Sequence, residues 1–213
     1  MTDDRHPTGP PAEPPYPADG TWRADRPALP GASLAGEDLR SDEDGSQDLP
    51  TRTGAVPAGI TVGPGRVGDL RAVVRVQRHA FPRRLAYGLG TLTLLWVLPH
   101  VRFLVAREER DGRVVGCAIG DRQGDHARVI NLAVDPDARR RGVGAALLAA
   151  LETALPGGNV LLMVEQENVA AQALYRGAGY AQVGLARDYY GRGRHGLWMQ
   201  KRRTDLPTPM LRV

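Results

Sequence analysis

Val134-Asp135-Pro136-Asp137-Ala138-Arg139-Arg140-Arg141-Gly142-Val143-Gly144-Ala145-Ala146-Leu147-Leu148 joins an apolar run to an apolar-periodic segment. The run from Val129 to Val134 reads as a buried strand, and Asp135-Pro136 breaks it. Three arginines and two glycines then lead into a helix that carries Leu147, Leu148, Leu151 and Leu155 on one side. A glycine-spaced turn at a helix N-terminus aims several backbone N–H groups at one spot, and the helix dipole adds partial positive charge there. Gly142 and Gly144 allow close approach of a ligand to the main chain. Arg139, Arg140 and Arg141 carry charge suited to phosphate oxygens. The arrangement suits a pyrophosphate; read alone, it equally describes a turn followed by solvated arginines.

Working back towards the N-terminus, residues 1–58 hold 10 of the 17 prolines and no apolar cluster. They carry 11 acidic and 5 basic residues, a net of −6 that leaves +10 on the rest of a chain of net +4. Such a composition buries too little surface to order itself, so residues 1–58 are expected to form a disordered, proline-rich acidic tail. A short C-terminal tail is expected over 204–213. A positive domain with a negative tail points to an anionic ligand. Nucleic acid is disfavoured: Lys201 is the only lysine, the arginines are dispersed, and aromatic interleaving is confined to residues 175–198.

The single cysteine, Cys117, excludes an internal disulfide and sits in an apolar strand pattern that suits core packing. No Cys/His cluster has metal-ligand spacing, so no metal is expected. The N-terminus lacks an apolar signal region, and the longest apolar block, Leu89 to Leu98, is about half a membrane span. The expectation is a soluble, cytoplasmic protein with no membrane partner.

The folded part, residues 59–203, reads in order as follows. A strand begins at Gly59-Ile60-Thr61-Val62, and Asp69 caps a helix that runs through Gln77 and stops at Phe81-Pro82. A second helix with a broad core-packing face covers 83–98. Strands at 102–106 and 114–119 flank an Asp111-Gly112 turn, and a further strand covers 127–134. The helix after Gly144 ends at Pro156-Gly157-Gly158, and Val160–Val164 is another buried strand. Asn168 caps a helix bearing Ala171 and Tyr175 and closed by Gly179. Two strands, 181–190 and 195–201, finish an α/β domain of order β-α-α-β-β-β-α-β-α-β-β.

That order, with Arg139-x-x-Gly142-x-Gly144 after Leu132-Ala133-Val134 and with Asn168-x-x-Ala171-x-x-x-Tyr175-x-x-x-Gly179-Tyr180, resembles the GCN5-related N-acetyltransferase (GNAT) superfamily. Ala80-Phe81-Pro82 and Arg187-Asp188-Tyr189-Tyr190 are similar to the ribosomal-protein-alanine, or protein N-terminal, acetyltransferase branch. The resemblance implies a central mixed, mostly antiparallel sheet flanked by helices, acetyl-CoA as acyl donor, and an amine acceptor, either a protein N-terminus or a small molecule. It leaves a homodimer open.

By position, the backbone of Leu132, Ala133 and Val134 would pair with the pantetheine arm, and a backbone N–H on that strand would polarise the carbonyl. Arg139, Arg140, Arg141, Gly142, Val143 and Gly144, with the N–H of Ala145, would hold the pyrophosphate. Asn168 would contact the pantetheine region. Tyr175 would protonate the leaving thiolate, its alternative being a core tyrosine.

The pattern breaks at two places. Where that branch carries a glutamate general base this chain has Met163, and where it carries a tryptophan after Phe-Pro this chain has Arg83. Glu165 shares a strand face with Met163 and could take the amine proton through water; it reads equally as a solvated glutamate beside Arg176. His79, His100, Glu167 and Tyr190 are further candidates. Deprotonating an α-amine of pKa roughly 7.7–8.0 at pH 7 costs about 1 kcal/mol, whereas a lysine costs between about 4 and 5. A site without a strong base therefore suits a weakly basic amine. Met163 also motivates a second expectation, a catalytically silent acyl-CoA-binding sensor or partner module.

Overall fold

Near-continuous apolar runs form strands buried on both faces, and that is how the centre of this chain folds. The computed structural model describes residues 55–82, 85–155 and 157–203. Most of the expected acidic tail, Arg83, Pro156 and residues 204–213 lie outside these. The elements are β1 (Ile60–Pro64), α1 (Leu70–Ala80), α2 (Leu89–Val97), β2 (Arg102–Glu108), β3 (Val114–Gln123), β4 (His126–Val134), α3 (Val143–Ala154), β5 (Val160–Glu165), α4 (Val169–Gly177), β6 (Ala181–Ala186) and β7 (Gly196–Lys201). Short 3-10 turns precede α1 at Val67–Asp69 and follow β4 at Pro136–Ala138.

The strands form one mixed sheet in the order β1-β2-β3-β4-β5-β7-β6, antiparallel everywhere except between β4 and β5. Alternation along the strands, offset in β3 by a bulge at Val115, splits the core in two. Val115 and Ala118 join Leu147, Leu148 and Leu151 of α3 and Tyr175 of α4. Cys117 and Ile119 turn to the other face, with Val73 and Val76 of α1 and Leu92 of α2. Leu147 is fully buried, so Leu147→Ala is expected to remove about 2–5 kcal/mol of stability, read from the urea midpoint.

Two features of β4 position the site. Its pairing with β5 covers only Ala127–Val129 against Val160–Leu162. Beyond that, β4 stays on β3 as far as Val134, and β5 stays on β7 as far as Glu165. Residues 130–134 and 163–165 therefore do not pair with one another, and a gap opens between two parallel strands. The second feature is a bulge: Ile119 pairs with Asn131 but Gly120 with Val129, which leaves Ile130 without a partner.

Four expectations need correction. Asp69 stands before α1 but does not cap it with its side chain, because the carboxylate accepts from the Arg66 N–H at 2.6 Å and from the Arg107 guanidinium at 2.5 Å. The second helix starts at Leu89 because Gly88 is extended (φ −81°, ψ 173°). Its apolar face is core only in part: Leu92 is buried and Leu95 and Trp96 pack against the same cluster, while Leu89, Leu94 and Val97 are exposed. Strand β6 ends at Ala186, since the chain turns with Asp188 in the left-handed region at φ +54° and Arg194 N–H donating to the Gly191 carbonyl at 2.8 Å.

Candidate active site

The turn after β4 is built by its own side chains. Asp135 donates its N–H to the Val115 carbonyl at 2.8 Å, and its carboxylate accepts from the Asp137 N–H at 3.3 Å. Arg140 then adopts φ +59° and Gly142 φ +82°, two left-handed residues that fold the chain back on itself. The first ladder bond of α3 runs from Ala146 N–H to the Gly142 carbonyl, so the N–H groups of Val143, Gly144 and Ala145 precede the ladder. A Cβ on Gly144 would stand 3.3 Å from Leu174 of α4 and 3.7 and 3.9 Å from Val134 and Leu132 of β4. The start of α3 is thus wedged between the end of β4 and α4, at one end of the gap.

The three arginines are not equivalent, contrary to the sequence expectation. Arg139 donates to the Val134 and Ala80 carbonyls, both at 3.4 Å. Arg141 donates to Glu108 at 2.9 Å, a carboxylate that Arg113 also binds at 3.1 Å. The Arg141 hydrogen bond, helped by Arg113, holds the Glu108 carboxyl below the usual range. Arg140 is exposed and has no hydrogen bond or ion pair among the described residues, which leaves its charge open to a ligand.

Along β4, the bond from Asp135 N–H to Val115 and the pairing of Ala133 with Cys117 fix the alternation. Ala133 turns its N–H and C=O to β3. Leu132 and Val134 turn theirs to the gap, so two of the three expected strand residues present backbone there. Across the gap, Asn168 caps α4, its Oδ1 accepting from the Ala171 N–H at 3.1 Å, which commits that oxygen to the helix.

Tyr175 of α4 is 7% exposed. Its ring lies 5.8 Å from that of Tyr180. Tyr180 is tied down, its hydroxyl donating to Glu152 at 2.9 Å. The Tyr175 hydroxyl has no such partner among the described residues, and burial pushes the phenol up to about 12.

At the end of β5 the sequence left Glu165 beside Arg176. Arg176 instead donates to Gln172, and Arg194 of the β6–β7 loop takes the carboxylate, with Nε and Nη2 both 2.5 Å from Oε1. The antiparallel register sets Glu165 opposite Gly196, two residues from Arg194. Arg194 also donates to the Tyr190 carbonyl at 3.2 Å, and the Tyr190 hydroxyl donates to the Met163 carbonyl at 3.4 Å. Burial first, then the neighbouring Tyr189, pushes the Tyr190 phenol up, so it holds its proton and is no base at neutral pH. His79 pairs with Asp135 at 3.5 Å, and His100 and Glu167 are exposed. Arg194 was missed because the sequence around it reads only as a glycine turn.

A cradle of helix N–H groups, an open strand edge beside a gap between parallel strands, and a buried tyrosine whose hydroxyl has no partner among the described residues agree with one further finding. The model of the acetyltransferase (GNAT) family matches residues 71–180, more than half of the chain. The chain belongs to the GNAT family. Members of this GNAT family bind acetyl-CoA or coenzyme A. An uncharacterized N-acetyltransferase of Methanocaldococcus jannaschii is 33% identical over 147 residues, 67% of this chain and 92% of the relative. The [ribosomal protein bS18]-alanine N-acetyltransferase of Salmonella typhimurium is 38% identical over 127 residues, 57% of this chain and 81% of that enzyme. The crystal structure of the ribosomal-protein-S18-alanine N-acetyltransferase from Escherichia coli superposes with a TM-score of 0.61 at 25% identity, covering 72% of this chain and 99% of that one. The GNAT sheet seen here, seven strands and mostly antiparallel, matches that neighbour. Among the described residues, no group of His, Cys, Asp or Glu could hold a metal ion, and no helix is long and apolar enough to cross a membrane.

Proposed function

We propose that this GNAT chain moves the acetyl group of acetyl-CoA to the α-amine of a protein N-terminus or to a similarly weakly basic small-molecule amine. The observation that carries the reading is the gap where β4 and β5 stop pairing, with the α3 cradle at its end. Tyr175 of α4, the helix that follows β5, would stand across it. The N–H groups of Val143, Gly144 and Ala145, with Arg140, would hold the diphosphate. The backbone of Leu132 and Val134 would line the pantetheine arm, with Asn168 opposite. A strand N–H turned to the gap would polarise the thioester carbonyl.

The neutral amine attacks that carbonyl; a C–N bond forms and the C–S bond breaks. The amine nitrogen gives up a proton and the departing sulfur gains one. Tyr175, protonated throughout the working range, supplies the proton at sulfur. A water held by Glu165 takes the proton of the bound ammonium before attack, and the proton that nitrogen loses after attack returns through solvent to Tyr175. Arg194 holds Oε1 of that carboxylate and leaves Oε2 to accept from the water.

Glu165→Gln is expected to lower kcat/KM for an α-amine peptide about tenfold at pH 7. The deficit narrows as pH rises past about 8, where the amine arrives already deprotonated. A rate profile of the two proteins from pH 6 to 9.5 reads this directly; equal rates at every pH remove Glu165 from the reaction.

Met163, which can take no proton, supports the second reading, a silent acyl-CoA-binding module. Free-thiol release from acetyl-CoA across a panel of N-terminal peptides and small amines separates the two. Binding without turnover of any amine favours the module.

A further inference from the structure

Gln77 is a polar residue on the core face of α1. It is 0% exposed among Val73, Val76, Cys117 and Ala133. Its Nε2 donates to Asn131 Oδ1 at 2.6 Å and lies 3.3 Å from Cys117 Sγ, and Asn131 Nδ2 lies 3.4 Å from its Oε1. The two amides thus face each other across the seam between α1 and the sheet. Gln77 is fully buried and Asn131 half-buried, and such a pair beside an apolar cluster is no better for stability than two well-packed apolar side chains of the same shape, because the amides give up water to form it. What such a pair does supply is one fixed geometry.

The geometry it fixes is that of the donor strand. Asn131 directly follows the bulge residue Ile130 and directly precedes Leu132, the first residue beyond the bulge whose backbone faces the gap. At the other end, the Gln77 carbonyl accepts the Phe81 N–H that closes α1. The pair therefore joins the last turn of α1 to the one irregular step of β4. No other side-chain hydrogen bond among the described residues links α1 to residues 130–132.

We propose that Gln77 and Asn131 are positioning residues: their mutual hydrogen bonds set the bulge at Ile130 and so aim the backbone of Leu132 at the acyl group. This rests on the acetyl-transfer reading for the identity of the acyl group, though not for the aim of the strand. Neither side chain touches the reacting atoms. The grip on the diphosphate, more than ten residues further along the chain, is independent of them.

The test uses the full chain and three variants: Gln77→Leu, Asn131→Leu and the double change. Each single variant leaves one amide without its partner, the fully buried Gln77 or the half-buried Asn131, and is expected to lower both the thermal midpoint and kcat, the latter about tenfold. The double variant, with no amide stranded, is expected to recover the midpoint but not kcat. The coenzyme A dissociation constant rises by less than kcat falls, because the diphosphate grip at Val143–Ala145 is kept while the pantetheine contact at Leu132 is weakened. Amide hydrogen exchange without ligand is the second readout: exchange at Ala133, whose N–H turns to β3, quickens in the double variant, while exchange at 146–151 in α3 does not. Recovery of kcat together with the midpoint, or unchanged exchange at Ala133, overturns the proposal. A wild-type chain that binds coenzyme A and acetylates nothing defeats the acetyl-transfer reading alone, and the exchange result still decides the role of the pair.

Discussion

Tyr175→Phe is expected to lower kcat at least about a hundredfold while leaving stability almost unchanged. The two halves of that expectation come from one feature. The Tyr175 ring is packed in the α3-side core, yet its hydroxyl bonds to nothing among the described residues. Removing the oxygen keeps the packing and strands no partner, so the usual penalty for a broken buried hydrogen bond does not arise. The same change at Tyr180 would take the donor from Glu152 Oε1, leaving that carboxylate only Lys201, and is expected to act on stability instead. Burial raises the Tyr175 phenol from its ordinary 10 to about 12, so the group keeps its proton across the working range. Any fall in rate at alkaline pH below that value must come from elsewhere. The sign for stability follows as well. Between pH 10 and about 12 the unfolded phenol ionises while the folded one does not, so this tyrosine takes stability away as pH rises through that window. Steady-state kinetics and thermal melts on the same preparation check both halves; an unchanged kcat removes the acid.

Gly142→Ala is expected to raise the acetyl-CoA dissociation constant at least tenfold, with kcat at saturation close to that of the parent. Gly142 sits at φ +82°, where a side chain costs about 1–2 kcal/mol, and its Cβ would stand 3.2 Å from Pro57. The chain relieves that strain by rotating the residue out of the left-handed region. The three N–H groups that follow it then no longer converge, and tenfold in affinity corresponds to about 1.4 kcal/mol. Arg140→Ala is the milder companion, an expected few-fold loss that vanishes at high salt because the charge is exposed. Titration calorimetry with coenzyme A reads both. An unchanged constant for Gly142→Ala moves the diphosphate off this turn.

Local signals carried most of the fold. The apolar runs at 129–134 and 160–164, the Asn168 cap and the proline at 82 each act within a few residues, and each element they announce is present. What the sequence hid depends on contacts between distant residues. Asp69 looks like a cap until β2 brings Arg107 to it. Arg139 and Arg141 look like phosphate ligands until Ala80 and Glu108 engage them. Glu165 looks paired with Arg176, one α4 turn beyond Gln172, until the β5–β7 register delivers Arg194. The gap itself leaves no trace in the run Val129–Val134, because a strand edge that loses its neighbour is as apolar as one that keeps it. The amide pair of Gln77 and Asn131 was invisible for a similar reason: each residue alone reads as an ordinary polar interruption.

The measurement that tests acetyl transfer to an α-amine most directly uses two peptides of one sequence, each containing a lysine, one with a free N-terminus and one with it blocked. Each is mixed with acetyl-CoA and the full chain, free thiol is followed, and the product is located by fragmentation mass spectrometry. Thiol release with the free peptide alone, and the acetyl group on its first nitrogen, is the expected result. Equal release with both peptides, an acetyl group on lysine, or binding of coenzyme A with no release from either peptide or from any small amine, would contradict it.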